Sequence, residues 1–368
     1  MNVEQVAAQF MQEDPLLEES LLLDLHGYRL AIKSNSQPLL DRLMRYFDFV
    51  LSGGEADETV ICIEAPPNDF GYVFKDWKRE PGKTGKKDAY CDLPDSQPAC
   101  RLIKKVRTGM LFLQHQQWKI AYGPCLEYDN QVINFINAQY MNHLQQQGEL
   151  ICHASGLVFN DRALGIAGFS GGGKSTLMLH LLEQPGYQFL TNDRLFLKKT
   201  DEYLRATGIP KLPRINPGTI INNERLKPLL TQQRVAELEA LPKQELWHLE
   251  EKYDADVEQL FGYNKISYQK PIDNFLILNW QFDAAEDCNI APVEMSERPE
   301  LYAAVMKSPG PFYQFADNSF YQDTMQQKLE DYQPVFSEMQ VYEATGRVDF
   351  DFAVKFMSDV MSRTPIKH

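Results

Sequence analysis

One segment constrains the fold of this chain more than any other: residues 168–176 read Gly-Phe-Ser-Gly-Gly-Gly-Lys-Ser-Thr. They meet every fixed position of the pattern G-x-x-x-x-G-K-[ST]. Such a loop follows a buried strand and leads into a helix, because the helix N-terminus must face the bound anion. Residues 163–167 are apolar enough for that strand, and residues 176–182 suit the helix. The pattern therefore predicts an α/β fold that binds a phosphate-bearing ligand.

Each position of this loop has a chemical role. Glycines let backbone amides approach a phosphate closely, since no Cβ intervenes. Lys174 adds a positive charge, and Ser175 supplies a hydroxyl ligand for Mg²⁺. We therefore expect ATP and Mg²⁺ as cofactors. The predicted nucleotide-binding residues are Gly168, Ser170, Gly171, Gly172, Gly173, Lys174, Ser175 and Thr176.

Composition argues against several classes of function. A chain of 368 residues with 43% hydrophobic content can bury a substantial core. Its formal charge of −14 argues against nucleic acid or an anionic membrane as a partner, although a local basic cleft could still hold ATP. The six cysteines lack metal-ligand spacing, and no segment approaches membrane-spanning length. The acidic N-terminus does not resemble a signal peptide, so we expect a cytoplasmic protein.

The pattern along the chain predicts two domains. Residues 1–125 suit a smaller N-terminal α+β domain, and residues 126–368 suit the phosphate-loop domain, with an amphipathic helix over residues 130–147 leading into it. Residues 222–262, rich in Glu, Gln, Lys and Leu, predict a helical insertion in the form of a hairpin. A basic stretch within residues 76–108, including Arg101, Lys104 and Lys105, is either a clamp for phosphates or a solvated surface.

Three residues outside the loop are candidates for the chemistry. Asp193 follows a strand-like run and could hold the hydration shell of Mg²⁺ or orient a hydroxyl; the alternative is an aspartate that caps a turn. His153 lies in a predicted β-hairpin that brings it near the loop, whereas a lone histidine on a strand is more often part of a core. Arg214, between two prolines, could neutralise transferred charge or be structural.

Over residues 150–220 the chain resembles the catalytic domain of the HPr kinase/phosphorylase family, and it looks closest to the HPr-kinase-related kinase B group. In that family a histidine opens the hairpin, the glycine loop follows, and two aspartates end the next strand. His153 precedes Gly168 by fifteen positions, and Asn192 with Asp193 occupies the place of the aspartate pair. The resemblance implies the fold of the HPr kinase C-terminal domain, shared with phosphoenolpyruvate carboxykinase, and catalytic roles for His153, Lys174 and Asp193. Because the family forms hexamers, it also implies a homo-oligomer.

Two departures from the family pattern bear on the mechanism. Asn192 stands where the family has its first aspartate, and an amide cannot accept a proton as a carboxylate does. A proton relay would therefore use Asp193, His153 or another carboxylate, and Asn192 would serve as a substrate or phosphate contact. The family's Glu-Ile-Arg-Gly signature is replaced by residues 208–218, which include Arg214. HPr is therefore not implied as the acceptor.

These observations lead to one main hypothesis and two alternatives. The main hypothesis is an ATP- and Mg²⁺-dependent kinase that transfers the γ-phosphoryl group to a hydroxyl of a protein serine or a small molecule. In it, Lys174 and the loop amides hold phosphates, while Ser175 and Asp193 bind the metal. The alternatives are a nucleotide-binding regulatory or assembly module without turnover, and a bifunctional kinase/phosphorylase. The sequence leaves the acceptor unidentified.

Overall fold

The computed structural model describes residues 2–12, 15–78, 85–93, 96, 98–169, 171–242, 245–246, 249 and 251–363. The fold is mixed α/β, with several sheets. One compact unit comprises Met1–Gly148 with Ser308–Gln326, and the other comprises Glu149–Lys307 with Gln327–His368. Compactness shows where the chain packs, not which segments fold alone, so the domain boundary between residues 125 and 126 stays a prediction.

The first unit is built on one sheet. Its strands are β1 (Ser20–Leu25), β2 (Tyr28–Ser34), β3 (Glu58–Glu64), β4 (Lys75–Asp76), β5 (Asp88–Leu93), β6 (Cys100–Lys105), β7 (Leu111–Gln114) and β8 (Lys119–Gly123), in the order β1-β2-β3-β8-β7-β6-β5-β4. The described helices are α1 (Val3–Phe10), α2 (Gln37–Tyr46), α3 (Asp129–Gln146) and a 3-10 turn at Asp48–Val50. Ser36 caps α2 by accepting from the Leu39 amide at 3.4 Å. The predicted helix near residues 130–147 is confirmed.

The basic stretch of this unit is mostly paired rather than open. The Arg101 side chain has no exposed surface, and its guanidinium contacts Asp92 at 2.5 Å. Lys105 pairs with Asp88 at 2.6 Å, and Lys104 lies 3.7 Å from Asp69. The suggestion that Arg101 belongs to an accessible phosphate clamp is wrong, because its charge is buried. Residues 81–84 of the same stretch lie outside the described residues.

The second unit contains a nine-stranded sheet, counted over the described residues. Its strands are β9 (Leu150–Cys152), β10 (Ala154–Phe159), β11 (Arg162–Gly168), β12 (Gln188–Thr191), β13 (Leu195–Lys199), β14 (Leu204–Thr207), β17 (Gln269–Leu278), β18 (Asn289–Pro292) and β19 (Gln340–Thr345). β11 runs parallel to β17, and β17 runs parallel to β19. β10 is antiparallel to both β11 and β12, so β12 also runs in the direction of β11. The carboxyl ends of these four parallel strands therefore lie at one edge of the sheet.

Helix α4 (Lys174–Leu182) follows β11 and packs its apolar residues into the core. The remaining described helices of the unit are α5 (Pro217–Ile221), α6 (Gln232–Glu239), α7 (Val257–Phe261), α8 (Leu329–Phe336) and α9 (Phe350–Arg363), with 3-10 turns at Lys227–Leu229 and Pro299–Ala304. The strand and helix predicted on either side of the glycine loop are both present. No helix in the described ranges is long and apolar enough to cross a membrane.

The described part of the insertion is made of short elements. The described part of residues 222–262 contains short helices and a strand, β16 (Tyr253–Asp254), that pairs with β15 (Arg214–Ile215). The helical hairpin therefore stays a prediction for this part of the chain. The helical periodicity of the sequence indicates short helices only. The strand pairing between residues 214 and 254 joins segments 40 positions apart, which local periodicity does not indicate. Residues 247 and 248 lie outside the described ranges.

Candidate functional site

The glycine loop at the end of β11 has a backbone that only glycine adopts readily. Gly171 and Gly173 have φ values of 79° and 81°, and the Gly172 amide donates to the Phe169 carbonyl at 2.9 Å. A Cβ placed on Gly173 would lie 2.7 Å from Cζ of Phe350. Because these glycines have no side chains, no Cβ covers the backbone amides before α4. The loop therefore suits the binding of a phosphate. Ser170, also predicted to bind nucleotide, lies outside the described residues.

Side chains from the neighbouring strand and helices fix this loop. Trp280 Nε1 donates to the Gly172 carbonyl at 2.8 Å, and the Trp280 ring packs edge-on against Phe350. Lys174 Nζ lies 3.5 Å from the Gly168 carbonyl, so the ammonium folds back along the loop. The hydroxyl of Thr176 lies 3.2 Å from that of Thr219. Nothing in the local sequence indicated that Trp280, two residues beyond the end of β17, would hold the loop.

His153 and Asp193 meet at the same edge, because β10 begins there directly after His153 and β12 ends there shortly before Asp193. His153 joins β9 to β10, and Asp193 lies between β12 and β13. Cys152 pairs with Leu195 across the β9/β13 ladder, which brings the two connections side by side. His153 Nε2 lies 3.1 Å from Asp193 Oδ1. The hairpin expected to carry His153 to the loop is present.

Asp193 is held in its ionised form although its surroundings are partly desolvated. Burial by itself raises the pKa of Asp193, but the Arg194 guanidinium, the hydrogen bond from His153 and the charge of Lys307 outweigh it and hold that pKa well below its usual value. Arg194 also bonds directly to the Asp193 carboxylate. The Asp193 side chain is still 50% exposed, so one face of the carboxylate is accessible to a ligand.

The pKa values of the two basic groups beside Asp193 are lowered as well, which disfavours the charged form of a base. The hydrogen bond with Asp193 raises the pKa of His153, yet burial and the charges of Lys174 and Lys307 outweigh that bond, and the net pKa is lowered. Burial is also the main reason why the pKa of Lys174 is lowered. His153 is therefore neutral at neutral pH and can accept a proton.

Asn192 is held in position through its backbone carbonyl rather than through its side-chain amide. The hydroxyl of Ser155 donates to the Asn192 carbonyl at 2.5 Å. Its side-chain oxygen Oδ1 is buried and has no hydrogen-bond partner among the described residues. A buried acceptor without a donor is costly. It fits a site that is completed by a donor from a ligand or a metal-bound water.

Two lysines in the neighbourhood were not predicted as site residues. Charge interactions link Lys211 to both Asp193 and Arg194, and burial is the main cause that lowers the pKa of Lys211 to about 8. Lys307 lowers the pKa values of Asp193, His153 and Lys174 through its charge. Their sequence signal is weak, since a lone lysine in a loop is ordinary; only the tertiary fold assembles them.

Arg214, the remaining candidate, lies at the margin of this cluster. Its Nε is 3.2 Å from Asp254 Oδ1 across the β15/β16 pair, and its guanidinium donates to the Lys252 carbonyl at 3.3 Å. Arg214 also interacts electrostatically with Lys211. Through these contacts Arg214 connects the insertion to the segment after β14.

The residues present fit a nucleotide with its metal. In the described part of the chain, no three His, Cys, Asp or Glu side chains cluster to hold a metal ion. Mg²⁺ bound with a nucleotide needs only one or two protein oxygens, because phosphates and waters complete its shell. Ser175 lies in the first turn of α4 beside the loop and Asp193 carries an accessible carboxylate, so the oxygens of these two side chains are the candidates for it.

Comparison with known proteins adds a distant structural likeness. No protein-family model and no curated protein matches the chain. Among solved structures, the HPr(Ser) kinase/phosphatase from Coxiella burnetii matches with a TM-score of 0.29 and 14% identity, over 58% of this chain and 88% of that one. We therefore infer the chemistry of the site from its own residues, and membership of the HPr kinase family stays a prediction.

Proposed function

We propose that this protein is a kinase that uses ATP and Mg²⁺ to phosphorylate a hydroxyl. One observation carries the proposal: His153 and Asp193 lie 3.1 Å apart at the edge of the sheet where β11 ends. The glycine loop and Lys174 follow β11 at that same edge. A neutral base, an ionised carboxylate and a phosphate-binding loop at one edge suit phosphoryl transfer. A loop that only bound nucleotide and its metal would not need the neutral base.

In this proposal the chain mainly positions reactants and balances charge. The loop amides and Lys174 bind the phosphates. Ser175 and Asp193 bind Mg²⁺, which neutralises charge on the transferred group when bound. Arg194 and Lys307 contribute positive charge around the Asp193 carboxylate.

His153 has the geometry of a proton acceptor. Its Nε2–H donates to Asp193, which leaves the lone pair of Nδ1 to take the proton of the acceptor hydroxyl. As that proton moves to Nδ1, the acceptor oxygen bonds to the γ-phosphorus and the bond from phosphorus to the β–γ bridging oxygen breaks. The electron pair remains on ADP. Asp193 stabilises the imidazolium that forms, as a carboxylate partner of histidine does elsewhere.

The test measures transfer and binding separately, with γ-labelled ATP, a panel of hydroxyl compounds and serine peptides, and Mg²⁺. Asp193→Asn and His153→Gln should each lower the transfer rate about 100-fold or more, while nucleotide still binds. Lys174→Ala should weaken nucleotide binding itself. Asp161→Asn is the matched control, because Asp161 pairs with Lys270 at the hairpin turn and takes no part in the site. Undiminished transfer in Asp193→Asn, or no nucleotide binding by the unmodified protein, would refute the proposal.

A second candidate function is supported by the Arg194 contact. Arg194 already occupies part of the Asp193 carboxylate, and a metal ion would have to share that carboxylate with the guanidinium. Such an arrangement suits a module that binds nucleotide and changes its assembly without transferring phosphate. Tight nucleotide binding, no transfer to any acceptor and an oligomeric state that depends on ATP would favour this function over the kinase.

A further inference from the structure

The Arg194 side chain bonds to its own neighbour in the chain, Asp193. Arg194 Nη1 donates to the Asp193 carbonyl at 2.9 Å and also to Oδ2 of the Asp193 carboxylate. Within the part of the chain that the structure describes, Nε and Nη2 of Arg194 donate to no partner. The side chain is 25% exposed. Part of the guanidinium is therefore available to a ligand.

The backbone at Arg194 is fixed, whereas its side chain is held only through Asp193 among the described residues. The Thr191 hydroxyl donates to the Arg194 carbonyl at 2.9 Å. The next residue, Leu195, pairs with Cys152 in the β9/β13 ladder. The turn between β12 and β13 is thus anchored at Arg194 and directly after it. The guanidinium can therefore leave Asp193 by rotation of its own side chain, without movement of the turn.

Arg194 and a metal ion would compete for one oxygen of Asp193. Asp193 Oδ1 lies 3.1 Å from Nε2 of His153, and Oδ2 accepts from Arg194. Because His153 occupies Oδ1, Oδ2 is the oxygen that is left for Mg²⁺. A divalent cation on Oδ2 would repel the guanidinium strongly, since two positive charges would then share one carboxylate oxygen. Metal binding therefore favours the release of Arg194.

The site also offers the released guanidinium a new partner. Burial is the largest influence on the pKa values of Lys174 and Asp193, lowering the first and raising the second, and the Arg194 charge lowers both. The charge of Arg194 therefore reaches the lysine of the glycine loop as well as the carboxylate. Mg²⁺ that binds with a nucleotide takes phosphate oxygens as further ligands. A guanidinium binds such oxygens through two parallel hydrogen bonds.

We propose that Arg194 is a further catalytic residue of this site, which leaves Asp193 when Mg²⁺ and nucleotide bind and then donates to the oxygens of the phosphoryl group that is transferred. Arg194 keeps all its protons in this step. Its N–H groups stabilise the negative charge on those oxygens while the bond from phosphorus to the β–γ bridging oxygen breaks. The role in transfer rests on the proposed kinase function, whereas the release of Arg194 from Asp193 does not.

The first experiment measures the competition at Asp193 with the full chain and Mn²⁺ as the metal. The protein is saturated with ADP, which lacks the transferred group, and free Mn²⁺ is followed by electron paramagnetic resonance. Arg194→Met should tighten Mn²⁺ binding about threefold, in line with the small energy of a partly exposed ion pair. In an Asp193→Asn background the same substitution should leave Mn²⁺ affinity unchanged, because the carboxylate is absent.

The second experiment measures the contact with the transferred group. The preference of the protein for a non-hydrolysable ATP analogue over ADP is determined by calorimetry in the presence of Mg²⁺. Arg194→Met should lower that preference about tenfold, because hydrogen bonds to a charged group are lost. It should also lower the rate of transfer from ATP about 100-fold. Arg194→Lys keeps the charge but not the two parallel bonds, so it should restore the original Mn²⁺ affinity and only part of the transfer rate.

Controls separate a lost contact from a lost fold. Arg29→Met removes an arginine that lies 3.4 Å from Asp24 in the first unit, and it should leave Mn²⁺ affinity, nucleotide preference and transfer unchanged. Thermal unfolding shows whether each variant is folded. Unchanged Mn²⁺ affinity in folded Arg194→Met, or equal tightening in the Asp193→Asn background, would overturn the competition. An unchanged preference for the ATP analogue would overturn the contact with the transferred group.

These measurements fail in different ways for the two proposals. Transfer that survives Arg194→Met and falls in Asp193→Asn would support the kinase and refute the catalytic role of Arg194. Asp193-dependent tightening of Mn²⁺ and a lowered preference for the ATP analogue, in a protein that transfers phosphate to no acceptor, would refute the kinase and support the release of Arg194 onto the nucleotide. Absence of nucleotide binding would refute both.

Discussion

At the scale of single residues, burial disfavours the charged forms of several side chains in the site. Neighbouring charges offset that cost to different degrees. Asp193 remains ionised because Arg194, His153 and Lys307 offset its desolvation. Lys211 is less well compensated: burial outweighs the attraction of Asp193 and Asp254, and its pKa falls to about 8. Lys211 therefore lowers the stability of the folded protein, and its removal should raise that stability.

We therefore expect Lys211→Met to stabilise the metal- and nucleotide-free protein by about 1 kcal/mol, after allowing for solvent screening of a partly exposed group. The folded protein holds the Lys211 proton less tightly than the unfolded chain, so the cost is fully present below pH 8. It is relieved as the pH rises from about 8 toward 10.5. Unfolding in urea at pH 7 and pH 10 should show a gain that shrinks at the higher pH. A loss of stability at pH 7 would contradict this account.

At the scale of elements, the strand β11, the glycine loop and α4 form one local unit that neighbouring elements lock. The left-handed backbone at Gly173 and the ring of Phe350 from α9 leave no room for a side chain. Trp280 from the end of β17 holds the carbonyl of Gly172. The loop shape therefore depends on elements more than 100 positions away in the chain.

Gly173→Ala should weaken nucleotide binding more than tenfold, because the new Cβ would lie 2.7 Å from the Phe350 ring and the loop would have to move. Gly148→Ala is a matched control: its φ of 80° imposes the same left-handed penalty of about 1–2 kcal/mol, but nothing lies within 4 Å of the new Cβ. Binding of a fluorescent ATP analogue, with thermal unfolding of both variants, checks the difference. Equal effects of the two substitutions on affinity would show that crowding at the loop is unimportant.

Trp280→Phe should keep the aromatic packing and remove the donor to the Gly172 carbonyl. The loss of one partly buried hydrogen bond corresponds to about 1 kcal/mol, so we expect nucleotide affinity to fall about fivefold with a smaller effect on the turnover of bound nucleotide. Trp118→Phe, in the first unit, controls for the general effect of replacing a tryptophan. Unaltered affinity in Trp280→Phe would mean that the loop holds its shape without this bond.

At the scale of the whole molecule, the chain leaves the second unit after Lys307 and contributes Ser308–Gln326 to the first. Arg101 anchors that segment. Its guanidinium donates to the carbonyls of Pro311 at 3.2 Å and Tyr321 at 2.8 Å, and it stacks over Tyr90 and Phe320 at 4.6 Å from each ring centroid. A buried cation with this many partners is strongly tied to its surroundings.

Arg101→Met should therefore destabilise the first unit by about 3–5 kcal/mol, since it leaves two carbonyls and Asp92 without their donor. Limited proteolysis followed by mass spectrometry should show faster cleavage within residues 308–326. Lys104→Met, which removes a weaker contact of 3.7 Å to Asp69, should cost less than about 1 kcal/mol. An Arg101→Met protein as resistant to cleavage as the unmodified chain would exclude an anchoring role.

The sequence by itself determined the local part of this protein: the strand, glycine loop and helix, the hairpin that carries His153, and the acid at Asp193. Each follows from neighbouring residues, whose periodicity and glycine content fix local backbone geometry. Only the tertiary structure decided that Lys211, Lys307 and Trp280 join them, that Arg101 is buried, and that Arg214 pairs with the insertion. Those contacts depend on strand order and on segments far apart in the chain. A local sequence pattern does not specify which distant strands pair.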